Sequence, residues 1–332
     1  MYDMRQFTTL AILTYLALAL VFGSAIADTD TKATISMAKE TVSFNVEIQE
    51  LSVNYAQFFA VAMPDELIEF DVQVPPNSER QFKFESMGAQ DTLQGPTNLS
   101  WQAPKEPGVY HVNITSQDTQ EVMSVHVFVM RPLDEAENGV LNGYRIGAYP
   151  DKALRNNPKY LPPAGLIEYT PAMSELAISP NFKLKQFLCK QKTNSEVKYL
   201  LVRPALVLKL ERLLAEVRSQ DIAADTLFVM SGYRTPYYNK SIGNVQYSRH
   251  VFGDAADVYV DYQPKNGWMD DINKDGKINR KDAALLYDMA DELDKVFTAI
   301  GLSGGVGEYQ ANSVRGPFVH VDARGHKARW GR

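Results

Sequence analysis

Apolar and polar residues alternate at period two along several short stretches in the first third of the chain. Thr41-Val42-Ser43-Phe44-Asn45-Val46, Ile68-Glu69-Phe70-Asp71-Val72 and Val109-Tyr110-His111-Val112-Asn113-Ile114 show the pattern, and Val122 to Met130 gives another such run. Every second side chain then falls on one face, which predicts half-buried β-strands. Turn-forming clusters, Pro75-Pro76-Asn77-Ser78 and Pro104-Lys105-Glu106-Pro107-Gly108, separate the runs. Several short strands at this spacing predict a β-sandwich over residues 33–131. His111 and His126 stand singly in these strands and read as ordinary face residues. Nothing in this half gathers metal ligands or nucleophiles.

Beyond it the period changes. Arg131-Pro132-Leu133-Asp134-Glu135-Ala136-Glu137-Asn138-Gly139 is polar and breaks the alternation, so a domain boundary is placed there. Residues 140–182, rich in Tyr, Pro and Gly, are expected to wrap a second domain that runs over 140–332. A helix is predicted over 203–219, with Pro204 in its first turn and Leu206, Leu210, Leu213 and Leu214 at helical spacing. Thr226 to Val229 reads as a buried strand. A second helix over 280–300 carries Leu285, Leu286, Met289, Leu293, Val296 and Phe297 as its apolar stripe. Val306 to Asp322 reads as a hairpin. The expected class is α+β. In the first domain, Trp101-Gln102-Ala103-Pro104 leading to Pro107-Gly108-Val109-Tyr110 resembles the late strands of immunoglobulin-like modules.

Composition narrows the function. With 332 residues the chain can build two sizeable cores, and 45% hydrophobic against 22% charged residues is the balance of a globular protein. A net charge of −6 disfavours a nucleic-acid partner, since phosphates need cations to neutralise them. The first 27 residues read as an export segment: Arg5, an apolar run from Leu10 to Phe22, then Gly23-Ser24-Ala25-Ile26-Ala27 as a cleavage site before Asp28. The alternative is an uncleaved anchor, because Phe7 to Ala27 carries no charge and is long enough to span a bilayer. The small residues favour cleavage, and only the anchored form makes the membrane a partner. Either form is expected in the periplasm or cell envelope. The single cysteine, Cys189, follows Phe187-Leu188 and reads as a small buried hydrophobe.

The chemistry sits in two short segments, Ser248-Arg249-His250-Val251-Phe252-Gly253-Asp254-Ala255-Ala256-Asp257-Val258 and Phe318-Val319-His320-Val321-Asp322. Hydrolytic zinc takes three protein ligands from His and carboxylate and keeps a fourth position for water. His250, Asp257 and His320 offer that set. Ala255 to Val260 alternates as a strand and turns Asp257 to one face, while Gly253 lets the chain fold back so that His250 approaches it. Phe318, His320 and Asp322 share one face of the later strand, with Val319 and Val321 facing the core.

Ser-x-His-x-x-Gly-x-Ala-x-Asp followed by His-x-Asp resembles the zinc D-Ala-D-Ala carboxypeptidase family, which includes related murein endopeptidases. Val229-Met230-Ser231-Gly232-Tyr233-Arg234-Thr235-Pro236, Gly304-Gly305-Val306-Gly307-Glu308-Tyr309 and Trp330 extend the resemblance over 140–332. It implies a hedgehog/DD-peptidase-like α+β domain that binds zinc through His250, Asp257 and His320. It also implies that Arg234 holds a peptide carbonyl or carboxylate, as a paired donor can, and that Ser248 hydrogen-bonds near the site. The implied substrate is the peptide of bacterial peptidoglycan, cut by a carboxypeptidase or an endopeptidase. One feature departs from better-known members, which place Glu or His within three residues before the last ligand. Here those positions are Pro317, Phe318 and Val319. Asp322 and Glu308 are then the expected proton carriers, although Asp322 equally suits orienting a ligand histidine. The missing base keeps open a silent module that binds wall peptide without cutting it.

A second metal loop is expected at 271–282. Asp271, Asn273 and Asp275 stand at positions 1, 3 and 5 of a twelve-residue calcium loop, Gly276 at the turn, Lys277 offering its carbonyl, and Asp282 closing it. Asp at the last position resembles dockerin loops and implies a structural calcium ion. The alternative is a solvated turn before a helix.

Overall fold

Alternation in the first third becomes a division between core and solvent. The strand β1 (Thr41–Ile48) buries Val42, Phe44, Val46 and Ile48 and turns Ser43, Asn45 and Glu47 outward. The computed structural model describes residues 40–86, 91–93 and 96–332. The expected export segment and residues 33–39 of the expected sandwich lie outside them. Two sheets follow. In one, β1 pairs with β2 (Leu51–Tyr55) and β4 (Leu67–Gln73), then comes β7 (Asn98–Gln102) and at the edge β6 (Asp91–Leu93), all antiparallel. In the other, β3 (Gln57–Ala62) runs parallel to β9 (Val122–Val129), which pairs antiparallel with β8 (Gly108–Ser116) and that with β5 (Phe82–Ser86). Phe44 of the first sheet meets Phe82 of the second with ring centroids 5.0 Å apart, so the sheets pack face to face.

This pair of sheets is joined to the remainder within one compact unit, residues 39–332. Gln57 donates to the Ala177 carbonyl at 3.0 Å, and His126 Nδ1 lies 2.9 Å from the same oxygen. His126 is therefore buried at a seam, with His111 stacked edge-on against it at 4.6 Å, which corrects its reading as an ordinary face residue. Burial, with His111 nearby, lowers its pKa.

The stretch expected to wrap the second domain, together with its flanks, holds short pairings. The strand β10 (Arg131–Pro132) pairs with β13 (Gly165–Tyr169), and β13 with β16 (Lys198–Leu200). Two small hairpins join β11 (Val140–Leu141) to β12 (Tyr144–Arg145) and β14 (Ala177–Ser179) to β15 (Phe182–Lys183). Cys189 is buried, as its neighbours imply. Helix α1 (Pro204–Ser219) begins at the proline, whose missing N–H costs nothing in the first turn. The strand β17 (Phe228–Ser231) lies two residues beyond its expected place. There follow α2 (Pro236–Ser241), β18 (Ala255–Tyr259), α3 (Arg280–Ala299), β19 (Gly305–Tyr309), β20 (Phe318–Asp322) and β21 (Ala328–Trp330). The five strands form one sheet in the order β17-β18-β20-β19-β21, antiparallel except for the β19–β21 pair. Helices α1 and α3 pack on each other and against β20, with α3 also against β19. Among the described residues no helix is long and apolar enough to cross a membrane.

A buried ammonium ties these layers together. Lys209 of α1 donates to Asp294 Oδ1 of α3 at 2.9 Å, to the Leu302 carbonyl at 3.1 Å and to the Asp322 carbonyl at 3.0 Å. Asp294 also accepts from Arg329 at 2.8 Å and from the Gly304 N–H at 2.9 Å. Removing one partner of a buried pair strands the other charge, so Asp294→Ala is predicted to destabilise the fold by about 3–5 kcal/mol in denaturant unfolding. A change below about 1 kcal/mol would show that the ammonium is not held this way.

Candidate metal centre

The site is built on a row that crosses the whole sheet. Ser231 of β17 pairs with Asp257 of β18, Asp257 with His320 of β20, His320 with Gly307 of β19, and Gly307 with Trp330 of β21. Directly opposed residues of neighbouring strands turn to the same face. Gly307 has no side chain because the indole of Trp330 occupies the space, and an added Cβ would lie 2.2 Å from it. Trp330 thereby packs 5.1 Å from the His320 ring and donates to the Tyr309 hydroxyl at 2.9 Å.

His250 arrives from a different element, the single helical turn Arg249–Phe252. Gly253 ends that turn with φ +73°, where a Cβ would also meet Leu201 at 2.6 Å. The reversal brings His250 Nε2 to 3.3 Å from Asp257 Oδ1, while His320 Nδ1 lies 2.9 Å from the same oxygen. The ligand atoms of the three buried residues all lie within 4.8 Å of one another. Their other atoms are occupied. His250 Nδ1 donates to the Gly232 carbonyl at 2.8 Å, His320 Nε2 bonds Asp322 Oδ2 at 3.0 Å, and Asp257 Oδ2 accepts from Arg234 at 2.7 Å. Two imidazoles and one carboxylate oxygen converge, each held from behind, which is the donor set and support that zinc uses.

Electrostatics follow from that enclosure. Burial works to raise the Asp257 carboxyl, but the two imidazoles outweigh it and hold it well below the usual carboxylate range. Burial lowers His250. Burial also works to lower His320, yet its bonds to Asp257 and Asp322 prevail and lift it to about 9.

Both expected proton carriers are misplaced for that task. Asp322 is fully buried behind His320, where it accepts from Arg324 and from the Gly305 N–H at 2.8 Å, and it does not line the cleft. It takes the other position read from the sequence, orienting the histidine. Glu308 pairs with Val319 rather than His320, so it faces the helices, bound by Arg280 and, at 3.0 Å, by Arg332. Arg234 and Ser248 do line the cleft. Arg234 spends Nε on Ser231 at 2.8 Å and Nη2 on Asp257, while its Nη1 and the Ser248 hydroxyl have no partner among the described residues.

The cleft has a volume of about 520 Å³. Its walls include Phe318, placed on the His320 face from the sequence, and Lys190, Arg315, Arg324 and Tyr309, whose part in the cleft was not read there. Arg324 and Phe318 were legible at spacing two from Asp322 and His320, whereas Lys190 and Arg315 come from loops and carry no such signal.

Residues 180–274 match the family described as Peptidase M15. This is a zinc D-Ala-D-Ala carboxypeptidase-like family of metallopeptidases. The M15 match contains Arg234, Ser248, His250 and Asp257 and ends before His320, which β18–β20 pairing brings to the other two ligands. No curated protein and no solved structure matches the chain.

The 271–282 segment forms a closed turn ahead of α3. Asp271 accepts from the N–H groups of Asp275 and Gly276 at 3.1 and 2.7 Å, Asn273 from Asp275 at 2.9 Å, and Asp275 from Lys277 at 3.1 Å. The Lys277 carbonyl accepts from Asn279 at 3.2 Å. Asp282 is buried and accepts from the N–H groups of Asn273 and Asn279 at 3.2 and 2.8 Å, capping α3. Among the described residues only the His250, Asp257, His320 trio gathers His, Cys, Asp or Glu as closely as a metal needs.

A pH dependence follows. Metal binding requires neutral His320, which carries a proton below about 9 in the metal-free protein. Zinc affinity is therefore predicted to rise roughly tenfold per pH unit from 7 towards 9, with proton release, in chelator competition. In the metal-free fold the same shift contributes stability fully below the ordinary imidazole value of 6.5, and loses it as pH rises through about 9. A flat affinity profile would overturn this account of His320.

Proposed function

We propose that this protein is a zinc metallopeptidase of the bacterial cell envelope that hydrolyses the peptide of peptidoglycan. The observation that carries the reading is the convergence of His250, Asp257 and His320 within 4.8 Å, each braced by a second partner, beside an M15 match. Zinc held there supplies a Lewis acid and lowers the pKa of water towards about 7. The chain's own residues do the rest. Asp322 fixes the His320 ring with Nδ1 towards the cluster. Arg234 holds Asp257 turned through Oδ2, and offers its Nη1, unpaired among the described residues, to a substrate carbonyl or carboxylate. The Ser248 hydroxyl is a further hydrogen-bonding group in the cleft.

A second reading is a zinc-bearing module that binds wall peptide without cutting it. It is favoured by one observation: among the described residues Asp257 is the only carboxylate lining the cleft, and His250 and His320 are its only imidazoles. The export segment supports an envelope location. The facing sheets, with β3 parallel to β9, support an immunoglobulin-like domain before the 131–139 boundary. The oxygens at positions 1, 3 and 5 around Gly276, whose φ is +81°, support the calcium loop.

Zinc content and peptide release from isolated peptidoglycan, measured on the full chain before and after chelation and zinc return, test the proposal. The expected result is about one zinc per chain, release that chelation stops and zinc restores, and loss of both in His320→Ala. Asp322→Asn is expected to weaken zinc binding about 10–100-fold yet keep turnover once zinc is saturating. Zinc without release points to the silent binder, and no zinc removes both readings. Calcium at 100 times its dissociation constant is expected to stabilise the fold by about 2.7 kcal/mol, an effect lost in Asp271→Ala. A calcium-independent melting temperature would leave 271–282 as a capped turn.

A further inference from the structure

The chain is acidic, with a net charge of −6, yet its cleft is cationic. Lys190, Arg234, Arg249, Arg315 and Arg324 line it, against Asp257 alone among the described carboxylates. Three of these cations are already neutralised: Arg234 by Asp257, Arg249 by Asp254 and Arg324 by Asp322. Lys190 and Arg315 have no carboxylate partner among the described residues. An unpaired cation at the wall of a cleft that already holds a ligand cluster is a binding element for an anion.

The two are built differently and come from different loops. Arg315 is prepared in advance. Its guanidinium lies 4.2 Å from the Phe318 ring centroid and 5.7 Å from that of Tyr309, and those rings are stacked 4.5 Å apart. The hairpin loop beneath is closed by Asn312, whose Oδ1 accepts from the N–H groups of Val314 and Arg315 at 2.9 and 3.0 Å. Stacking uses the face of the guanidinium and leaves its edge donors, one of which makes only a 3.5 Å contact to the Gln310 carbonyl. Lys190 is exposed, at the end of a segment anchored beside β17 where the Tyr233 N–H donates to the Phe187 carbonyl at 2.9 Å. Its ammonium is close enough to feel Arg234 and Asp257. Lys190 follows the segment held beside β17, and Arg315 stands in the loop between β19 and β20, stacked on Phe318 of the strand that carries His320.

We propose that Lys190 and Arg315, the two cations of the cleft wall without a carboxylate partner among the described residues, each bind a carboxylate of the substrate, so that the cleft selects a dianionic peptide over its neutral or amidated form. This rests on the peptide-binding reading above and names its substrate class.

The test uses the zinc-supplied full chain and a dye-labelled peptide ending in D-Ala-D-Ala with one internal glutamyl residue. Four forms are compared: both carboxylates free, either one amidated, and both amidated. Dissociation constants from anisotropy are read separately from hydrolysis. Each amidation is expected to weaken binding about tenfold. Arg315→Gln should erase the discrimination at one carboxylate and Lys190→Gln at the other, with melting temperatures unchanged, and Arg315→Lys should restore part of the first. Equal affinity of the wild type for all four forms, or none for any, overturns the proposal, as do variants that discriminate as the wild type does. Charge selection without hydrolysis supports this inference and removes the peptidase reading. Hydrolysis of all four forms at equal kcat/KM does the reverse.

Discussion

The site depends on the register of β20 against β18. With Asp257 opposite His320, the ligands share one face and Val258, Val319 and Val321 are buried. A slip of one residue would send His320 to the helices and put a valine in the cleft, because side chains alternate at period two. Hydrophobic burial alone resists that slip, and the strand's far end is pinned as well. Lys209 holds the Asp322 carbonyl, the Asp322 side chain accepts from Gly305, and the Ala323 N–H donates to Asp254 at 2.9 Å. Buried polar groups that lose their partners on displacement cost far more than the average hydrogen bond gains, so these contacts define one register.

The same enclosure explains the charge state of the centre. Asp257 serves both imidazoles through Oδ1 while Arg234 occupies Oδ2, so its anion is compensated from three sides. In the metal-free protein the proton on His320 provides part of that compensation. A divalent cation bound there would take its place, which would couple loading to proton release.

The candidate ligand cluster was legible because it is written in local spacing. His250, Gly253 and Asp257 lie within eight residues, and the alternation of 318–322 sets the face of His320. The helices were legible through Pro204 and the leucine and methionine stripes. Glu308 was not, because its face depends on how the 310–317 loop sets the hairpin register, and shifting that register by one residue would have placed it beside His320. Asp322 was put on the correct face, but its enclosure by Arg324 and Gly305 is a tertiary fact. Lys190 and Arg315 stand on connecting segments, where periodicity carries no information. The short pairings within 140–182 escaped notice because most of these strands hold two or three residues, too few to show a period, and the five-residue β13 is buried on nearly every position and does not alternate.

Trp330 has a consequence of its own. The chain contains three tryptophans: Trp101 in the core between the facing sheets, Trp268 exposed to solvent, and Trp330 against His320. An indole in van der Waals range of an imidazole responds to that ring's protonation and ligation, whereas an indole sealed in a core or open to water does not. The missing side chain of Gly307 therefore gives the protein an intrinsic optical probe at its candidate metal centre.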